Sequence, residues 1–457
     1  MKKTALIIVA IIITAMVGIF FYLKKQRIPD FDTLKMIPND IAFFVDINNP
    51  EQFIDEFTGN NAIWSEIKDI KGISKFNHQL HQLDSIIAQD EILQKNFSDS
   101  RVIIGGKKQG KSKLEFLYLM KIQNLREQNH IKHYFTQWAK EKNTPVNSKN
   151  YNNTRIFSIE TKRNQTFAYS FIKGTFVASK SIILVEKAIR TASVDNSLKD
   201  KEGFQKVYNT AGKNVLGNIY ITYSELPEIA KILVDHKHPG QVEFLSKFAQ
   251  WTSLDINIKE DALLLNGFTE GAEGKTELMD IFSNQEPVEQ EIASILPANT
   301  STYITLGISN KERFRKDYKA YLRQNGQIDT YNQNIRKTSE KFGFNPENVL
   351  YDLLEGETGI TFLDGNSDNP QEKAFIILKT KGKRFARNTL EKISKEACAK
   401  VNIDPYKKEL QIDKETQYEA FRLPANRMFE NVFGDLFKGI NNQYFTFVEN
   451  FVVFGHS

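Results

Sequence analysis

The sequence predicts an α+β protein in which an N-terminal transmembrane helix is followed by duplicated units of antiparallel sheet with packed helices. Three observations carry this. The run Thr4–Leu23, TALIIVAIIITAMVGIFFYL, holds twenty residues without a charge, between Lys2-Lys3 and the cations Lys24, Lys25 and Arg27. Alternating β-rich runs and helical stretches follow without a regular βαβ order, which argues for antiparallel pairing. The same succession of elements then occurs twice, in 28–193 and in 296–457, on either side of a bridging region at 194–295.

As a helix, Thr4–Leu23 is about 30 Å long, the thickness of a bilayer's hydrocarbon layer. A cleavable signal peptide has a shorter apolar core and a small-x-small cleavage site. This run instead ends in Phe20-Phe21-Tyr22-Leu23 with charges close behind, so 1–27 reads as an uncleaved signal-anchor. The flanking cations are nearly balanced. A signal-anchor orientation keeps the N-terminus inside and puts the bulk of the chain outside the cytoplasm, so the lipid bilayer is the first expected partner.

The first unit opens with a strand in IAFFVDI (41–47) after Ile37-Pro38-Asn39-Asp40. Asn49-Pro50-Glu51 then starts a helix: Asn caps, Pro suits the first turn and Glu complements the dipole. Residues 73–97 are amphipathic at helical spacing. Two strands, RVIIGG (101–106) and KLEFLYLMKI (113–122), precede a helix at 130–142 and a strand at 155–160. The runs 165–172 and 175–179 form a hairpin around Lys173-Gly174, and 181–191 closes the unit as a helix.

The bridging region holds helices at 204–210 and 227–234, a strand at 214–224 and a strand pair, 254–259 and 262–269, about a tight Glu260-Asp261 turn. Residues 271–275 read as a linker and 287–295 as a helix. The opening order then returns. Leu296-Pro297-Ala298-Asn299 precedes the strand TYITLGI, and Ser309-Asn310 starts a helix as Asn49-Pro50 did. NVLYDLL runs into GITFLDG, and AFIILK matches LEFLYLMK. The helix 384–399 matches 130–142, and YEAFRL matches the strand around Phe157. QYFTFVENFVVFGHS matches QTFAYSFIKGTFVASKS, and where the first copy enters IILVEKAIR the second stops, so the chain reads as a fragment or truncated product.

Composition narrows function without naming it. The 457 residues carry a net charge of +5, too small for a polyanion-binding field, so no nucleic-acid partner is expected. One cysteine, Cys398, excludes an intramolecular disulfide framework and a cysteine zinc site. Gly105–Ser112 fits the phosphate-loop pattern G-x-x-x-x-G-K-S letter for letter. That motif works only where a helix leaves the loop, and here LEFLYLMKI leaves as a strand, so the stretch reads as a hairpin turn. Asp364, Asn366 and Asp368 have calcium-loop spacing, but Asn369 and Phe375 stand where the loop needs Gly and a bidentate Glu. The pairs His78/His81, His130/His133 and His236/His238 lack a carboxylate or thiol at ligand spacing. No G-x-S-x-G elbow or paired-carboxylate motif stands out. No catalytic, cofactor-binding or metal-binding residue is therefore assigned.

The basic start, the single anchor and the Ile37-Pro38-Asn39-Asp40…Phe44-Val45-Asp46-Ile47 opening with its Leu296-Pro297-Ala298-Asn299 echo resemble an uncharacterised family. Its members are anchored bacterial envelope proteins known only as a domain of unknown function. The resemblance implies inner-membrane attachment and carries no catalytic residue. The expected function is a membrane-anchored extracytoplasmic binding or scaffolding protein with an unidentified protein or envelope partner, without catalysis. The alternative is an envelope hydrolase or transferase with a dispersed site.

Overall fold

Seven strands recur in one order in two separate antiparallel sheets. The computed structural model describes residue 28 and residues 31–456 apart from 60, 70–73, 75–76, 78–89, 99, 111–112, 162–164, 195–196, 234–238, 272–273, 275–276, 366–369 and 412–416. The run Thr4–Leu23 lies outside the described residues. Among those described, no helix is long and apolar enough to cross a membrane. The chain divides into a unit ending at Gly271 and a unit beginning at Ala272.

In the first unit, β1 (Phe43–Ile47), β2 (Val102–Gln109), β3 (Lys113–Lys121), β4 (Val146–Tyr151), β5 (Thr154–Thr161), β6 (Gln165–Ile172) and β7 (Thr175–Ser179) are joined by β8 (Gly217–Thr222), β9 (Trp251–Ile258) and β10 (Leu263–Glu270). They lie in the order β10-β9-β8-β1-β2-β3-β7-β6-β5-β4. The second unit contains β11 (Thr300–Ile308), β12 (Leu354–Leu363), β13 (Ala374–Thr380), β14 (Lys407–Gln411), β15 (Gln417–Arg422), β16 (Tyr444–Val448) and β17 (Phe451–Gly455). Their order is β11-β12-β13-β17-β16-β15-β14, the order of β1 to β7 repeated. The duplication read from element order is thus a duplication of sheet topology.

Local chemistry repeats with it. Asn49 accepts from the Gln52 amide at 3.0 Å and starts α1 (Pro50–Thr58). Asn310 accepts from the Arg313 amide at 2.9 Å and starts α8 (Lys311–Gln324); the intervening helices are given below. The hairpin at Lys173-Gly174 turns with φ of 45° and 77°, and its counterpart in the second unit puts Glu449 at 49°. Positive φ at these sites matches the right-handed twist of the flanking strands.

Helices cover both faces of the first sheet. On one face, α1, α2 (Ala62–Ile67), α3 (Glu91–Ser98) and α4 (Leu125–Glu141) set Phe53, Phe97, Ile131 and Phe135 over residues such as Ile104, Tyr169 and Ala178. On the other, α5 (Ile182–Thr191) and α6 (Glu202–Thr210) press Leu184, Val185, Ala188 and Phe204 onto Phe44, Ile103 and Val177. A further helix, α7 (Leu226–Leu233), follows β8. In the second unit α8, α9 (Ile328–Phe342), α10 (Pro346–Leu353), α12 (Lys383–Lys400) and α13 (Met428–Phe433) build one large core on Ile360, Ile376, Phe421 and Phe454, with the short α11 (Pro370–Lys373) before β13. The opposite face meets the 3-10 turn Ile292–Ile295, whose Ile292 clusters with Ile377 and Phe451.

Three expectations need correction. Region 194–295 is not a separate bridge: β8 pairs with β1, Phe43 opposite Ile221, and β9 and β10 continue the first sheet up to Gly271. The reason is that β1 has backbone groups on both sides, and β8 satisfies the outer set while stacking Tyr220 on Phe44 at 4.7 Å. The helix read at 287–295 shrinks to Ile292–Ile295, where the Glu357 carboxylate accepts from the amides of Glu291 and Ile292 at 2.8 and 3.0 Å. The helix read at 130–142 begins at Leu125, because Asn124 accepts from the Glu127 amide at 3.0 Å. Two edge strands, β4 and β14, and the helix α9 have no counterpart in the sequence reading.

Each unit owns its core, so core truncation acts on one unit at a time. Phe44→Ala is expected to destabilise the first unit by about 3–5 kcal/mol and Phe445→Ala the second by the same amount. Calorimetry of the full chain should show each substitution lowering one transition and leaving the other in place.

Candidate functional site

The phosphate-loop letters fall in a β-hairpin. β2 and β3 pair from Val102 opposite Met120 to Gln109 opposite Lys113, and Gly110 turns with φ 61°. Lys111 and Ser112 lie outside the described residues. No helix leaves this turn, so the amide cradle of a phosphate site is not built.

Lys107 and Lys108 from this hairpin instead line a recess of about 210 Å³ with Asp40, Glu225 and Glu228. Their charges are already matched. Asp40 receives Lys107 and Lys187, each at 2.6 Å. Glu228 receives Lys108 at 2.5 Å and Lys231 at 3.0 Å, and Lys231 also reaches Glu243 at 2.6 Å. Partial burial raises the Asp40 pKa, but the hydrogen bonds from Lys107 and Lys187 outweigh it and hold the carboxyl below its ordinary value. A phosphate entering here would meet the carboxylates of Asp40, Glu225 and Glu228, with both lining lysines already paired. The arrangement ties the β2–β3 hairpin to α5 and α7 through ion pairs.

The histidine and oxygen patterns disperse likewise. His130 Nε2 lies 2.9 Å from both oxygens of Asp90, which itself accepts from the Ile92 and Leu93 amides and starts α3. His133 is exposed. His78, His81, His236, His238, Asn366 and Asp368 lie outside the described residues, and Asp364 is exposed. Among the described residues, no group of three or more His, Cys, Asp or Glu could hold a metal ion. Cys398 is buried, donates weakly to the Arg422 carbonyl at 3.5 Å, and has its thiol pKa pushed up by burial.

One buried ion pair escaped the sequence reading. Asp46, 3% exposed, accepts from Arg101 Nε at 2.6 Å, with Arg101 Nη2 on its other oxygen. The pair raises the Arg101 pKa against the effect of burial. The signal was present in FFVDI: strand alternation puts Asp46 on the same side as Phe44, so a charge points into the core. The second unit does not repeat it. β11 carries no charged residue at any position, so it has no counterpart of Asp46.

An apolar cavity of about 130 Å³ lies between α1, α3 and the sheet, lined by Ile47, Phe53, Phe57, Phe97, Ile256 and Leu265 among others. Leu265 belongs to β10, the last strand of that sheet, and is 41% exposed, with Leu264 at 39% and Phe268 at 59%. The second sheet ends the same way. β11 leaves Tyr303 46% and Ile304 43% exposed.

The two ends of each sheet differ in charge. β4 carries Lys149, and β14 carries Lys407, Lys408 and Glu409, which is how natural edges repel added strands. β10 from Leu263 to Thr269 and all of β11 carry no charge. An edge strand offers unpaired N–H and C=O groups, and without charge or proline nothing turns an incoming strand away. These two uncharged edge stretches are the candidate site.

A family model described as a protein of unknown function, DUF3352, matches residues 106–420. The chain belongs to that family. The match runs from β2 of the first unit to β15 of the second, so the family's model spans most of both sheets. No curated protein and no solved structure matches the chain.

Two measurements follow from the charged groups. Arg101→Met leaves the Asp46 carboxylate buried and unpaired, a loss of about 3 kcal/mol, and adding Asp46→Leu should recover most of it; urea unfolding of the three variants reads both. Because the folded Asp40 pKa is lowered, its contribution is full above the unfolded carboxylate value near 4 and is lost as pH falls through the lower folded value. The thermal midpoint should therefore fall less steeply below pH 4 in Asp40→Asn than in the natural protein.

Proposed function

We propose that this protein is a membrane-anchored binding or scaffolding module of the bacterial cell envelope. Thr4–Leu23 crosses the inner membrane once, and the two sheet units stand on the extracytoplasmic side. The observation that carries the reading is the pair of sheet-edge stretches without charge, Leu263–Thr269 of β10 and all of β11, each opposite a charged edge in its own sheet. Edges of this kind recognise extended protein segments through main-chain hydrogen bonds, with side-chain contacts adding selectivity.

The polar clusters support the same reading. Asp40, Glu228, Asp46 and His130 each hold an opposite or hydrogen-bonding partner from another element. They lock the scaffold that presents the edges. The single anchor suits a protein that holds partners near the membrane surface.

Alkaline phosphatase fused after Ser457 should be active and green fluorescent protein at the same point dark. The opposite pattern puts the sheets in the cytoplasm and ends this reading.

A further inference from the structure

Five peptide steps separate Leu23, the last residue of the apolar run, from Ile28, which packs against the core under α4. Fully extended, they reach about 18 Å. With Thr4–Leu23 as the span of the proposed function, the headgroup layer takes about 6 Å of that reach. Ile28 therefore stands no more than about 12 Å above the membrane surface. Three residues on, Phe31 packs into the core under α5, with Lys173 Nζ 4.6 Å from its ring centre. The end of the first sheet at the Lys173-Gly174 hairpin is thus the end next to the bilayer.

Two hydrogen bonds show what else lies at that end. Lys173 Nζ donates to the Ala192 carbonyl at 2.7 Å, just past the last turn of α5. The Ile122 amide donates to the Gly174 carbonyl at 2.8 Å, where the chain leaves β3 for α4. They bring together Val194, two residues beyond Ala192, and Leu125, the first residue of α4. Both are apolar and open to solvent, Val194 at 53% and Leu125 at 41%. Each has an exposed arginine close by: Arg126 follows Leu125, and Arg190 lies in the last turn of α5. The neighbouring carboxylates are engaged. Asp32 accepts from Lys199, and Glu127 accepts from the Gln123 amide at 2.8 Å and the Asn124 side chain at 2.7 Å.

Apolar side chains flanked by cations suit the boundary between lipid headgroups and acyl chains, where the cations meet anionic headgroups. We infer that this end of the first unit is a membrane foot, with Leu125 and Val194 seated in the leaflet interface and Arg126 and Arg190 on anionic phospholipid. α4 and α5 lie on opposite faces of the sheet, so Leu125 and Val194 flank the hairpin on both sides. With the anchor they make three points of support, the smallest number that sets a tilt. An anchor alone would leave the unit free to lean. α5 also supplies the control. Ile183, at its other end, is 53% exposed like Val194, but a ten-residue helix sets it about 15 Å away.

The foot rests on Thr4–Leu23 being a span, and its test is blind to which side of the membrane the units occupy. The full-length protein with Cys398→Ala is placed in nanodiscs of phosphatidylcholine, with or without phosphatidylglycerol. A nitrobenzoxadiazole dye is attached to Leu125→Cys, Val194→Cys or Ile183→Cys, and circular dichroism checks each fold. Spin-labelled lipid should quench the dye at 125 and 194 about threefold more than at 183, and more strongly with phosphatidylglycerol present. Replacing both arginines, Arg126→Gln with Arg190→Gln, should make the two lipid compositions equal. Quenching at 183 equal to that at 194, or none at 125 and 194, overturns the foot. Quenching that ignores phosphatidylglycerol while both arginines are present overturns the headgroup contact. An active phosphatase fusion without quenching strikes the foot and leaves the envelope reading. An inactive fusion with quenching at 125 and 194 strikes the envelope side and leaves the foot.

Discussion

A strand at the end of a sheet has half of its backbone hydrogen-bonding groups turned outward, and everything distinctive about this molecule follows from how those groups are dealt with. β1 hands its outer side to β8, and the first sheet grows by three strands until it ends at β10. β4 and β14 end their sheets with charge. β11, and β10 from Leu263 to Thr269, end theirs without charge and with exposed apolar side chains such as Phe268 and Ile304. An unpaired backbone group is expensive only when it is dry. Edges can therefore stand in water, and their side chains decide whether another strand is admitted.

The two copies share topology and capping, and they differ in what covers the sheet. In the first unit α5 and α6 press a full apolar layer onto the face that carries Phe44, Ile103 and Val177. In the second, the equivalent face meets the turn Ile292–Ile295, held by the Glu357 carboxylate against the Glu291 and Ile292 amides. The buried Asp46–Arg101 pair belongs to the first copy alone. β11 of the second copy carries no charged residue that could take the place of Asp46. A buried ion pair demands two matched residues at once, because a buried charge without its partner is strongly destabilising.

Much of the fold was legible in particular residues. Asn49-Pro50 and Ser309-Asn310 marked equivalent helix starts because Asn side chains replace missing helix partners. Lys173-Gly174 marked a hairpin because the turn needs backbone that most residues avoid, and Glu260-Asp261 marked one as a short polar break between two apolar runs. The phosphate-loop letters at Gly105–Ser112 could be set aside because the following run alternates as a strand. What escaped has physical reasons too. β4, VNSKNY, and β14, KKELQ, are polar on both faces, so they lack the alternation that marks a half-buried strand, although Asn152-Asn153, both at positive φ, was the available clue. β8 to β10 looked like a bridge because a strand's sequence states that it will pair without stating with which neighbour.

By itself, then, the sequence determined the local elements, their caps and turns, the repetition of their order and the apolar leading run, because each of these depends on residues a few positions apart. Only the tertiary structure decided that β8 closes β1 while β11 ends its sheet, that Asp46 meets Arg101, and that Lys107 and Lys108 are neutralised by Asp40 and Glu228. Those outcomes depend on groups brought together from distant parts of the chain, where hydrogen-bond geometry and burial select the partner.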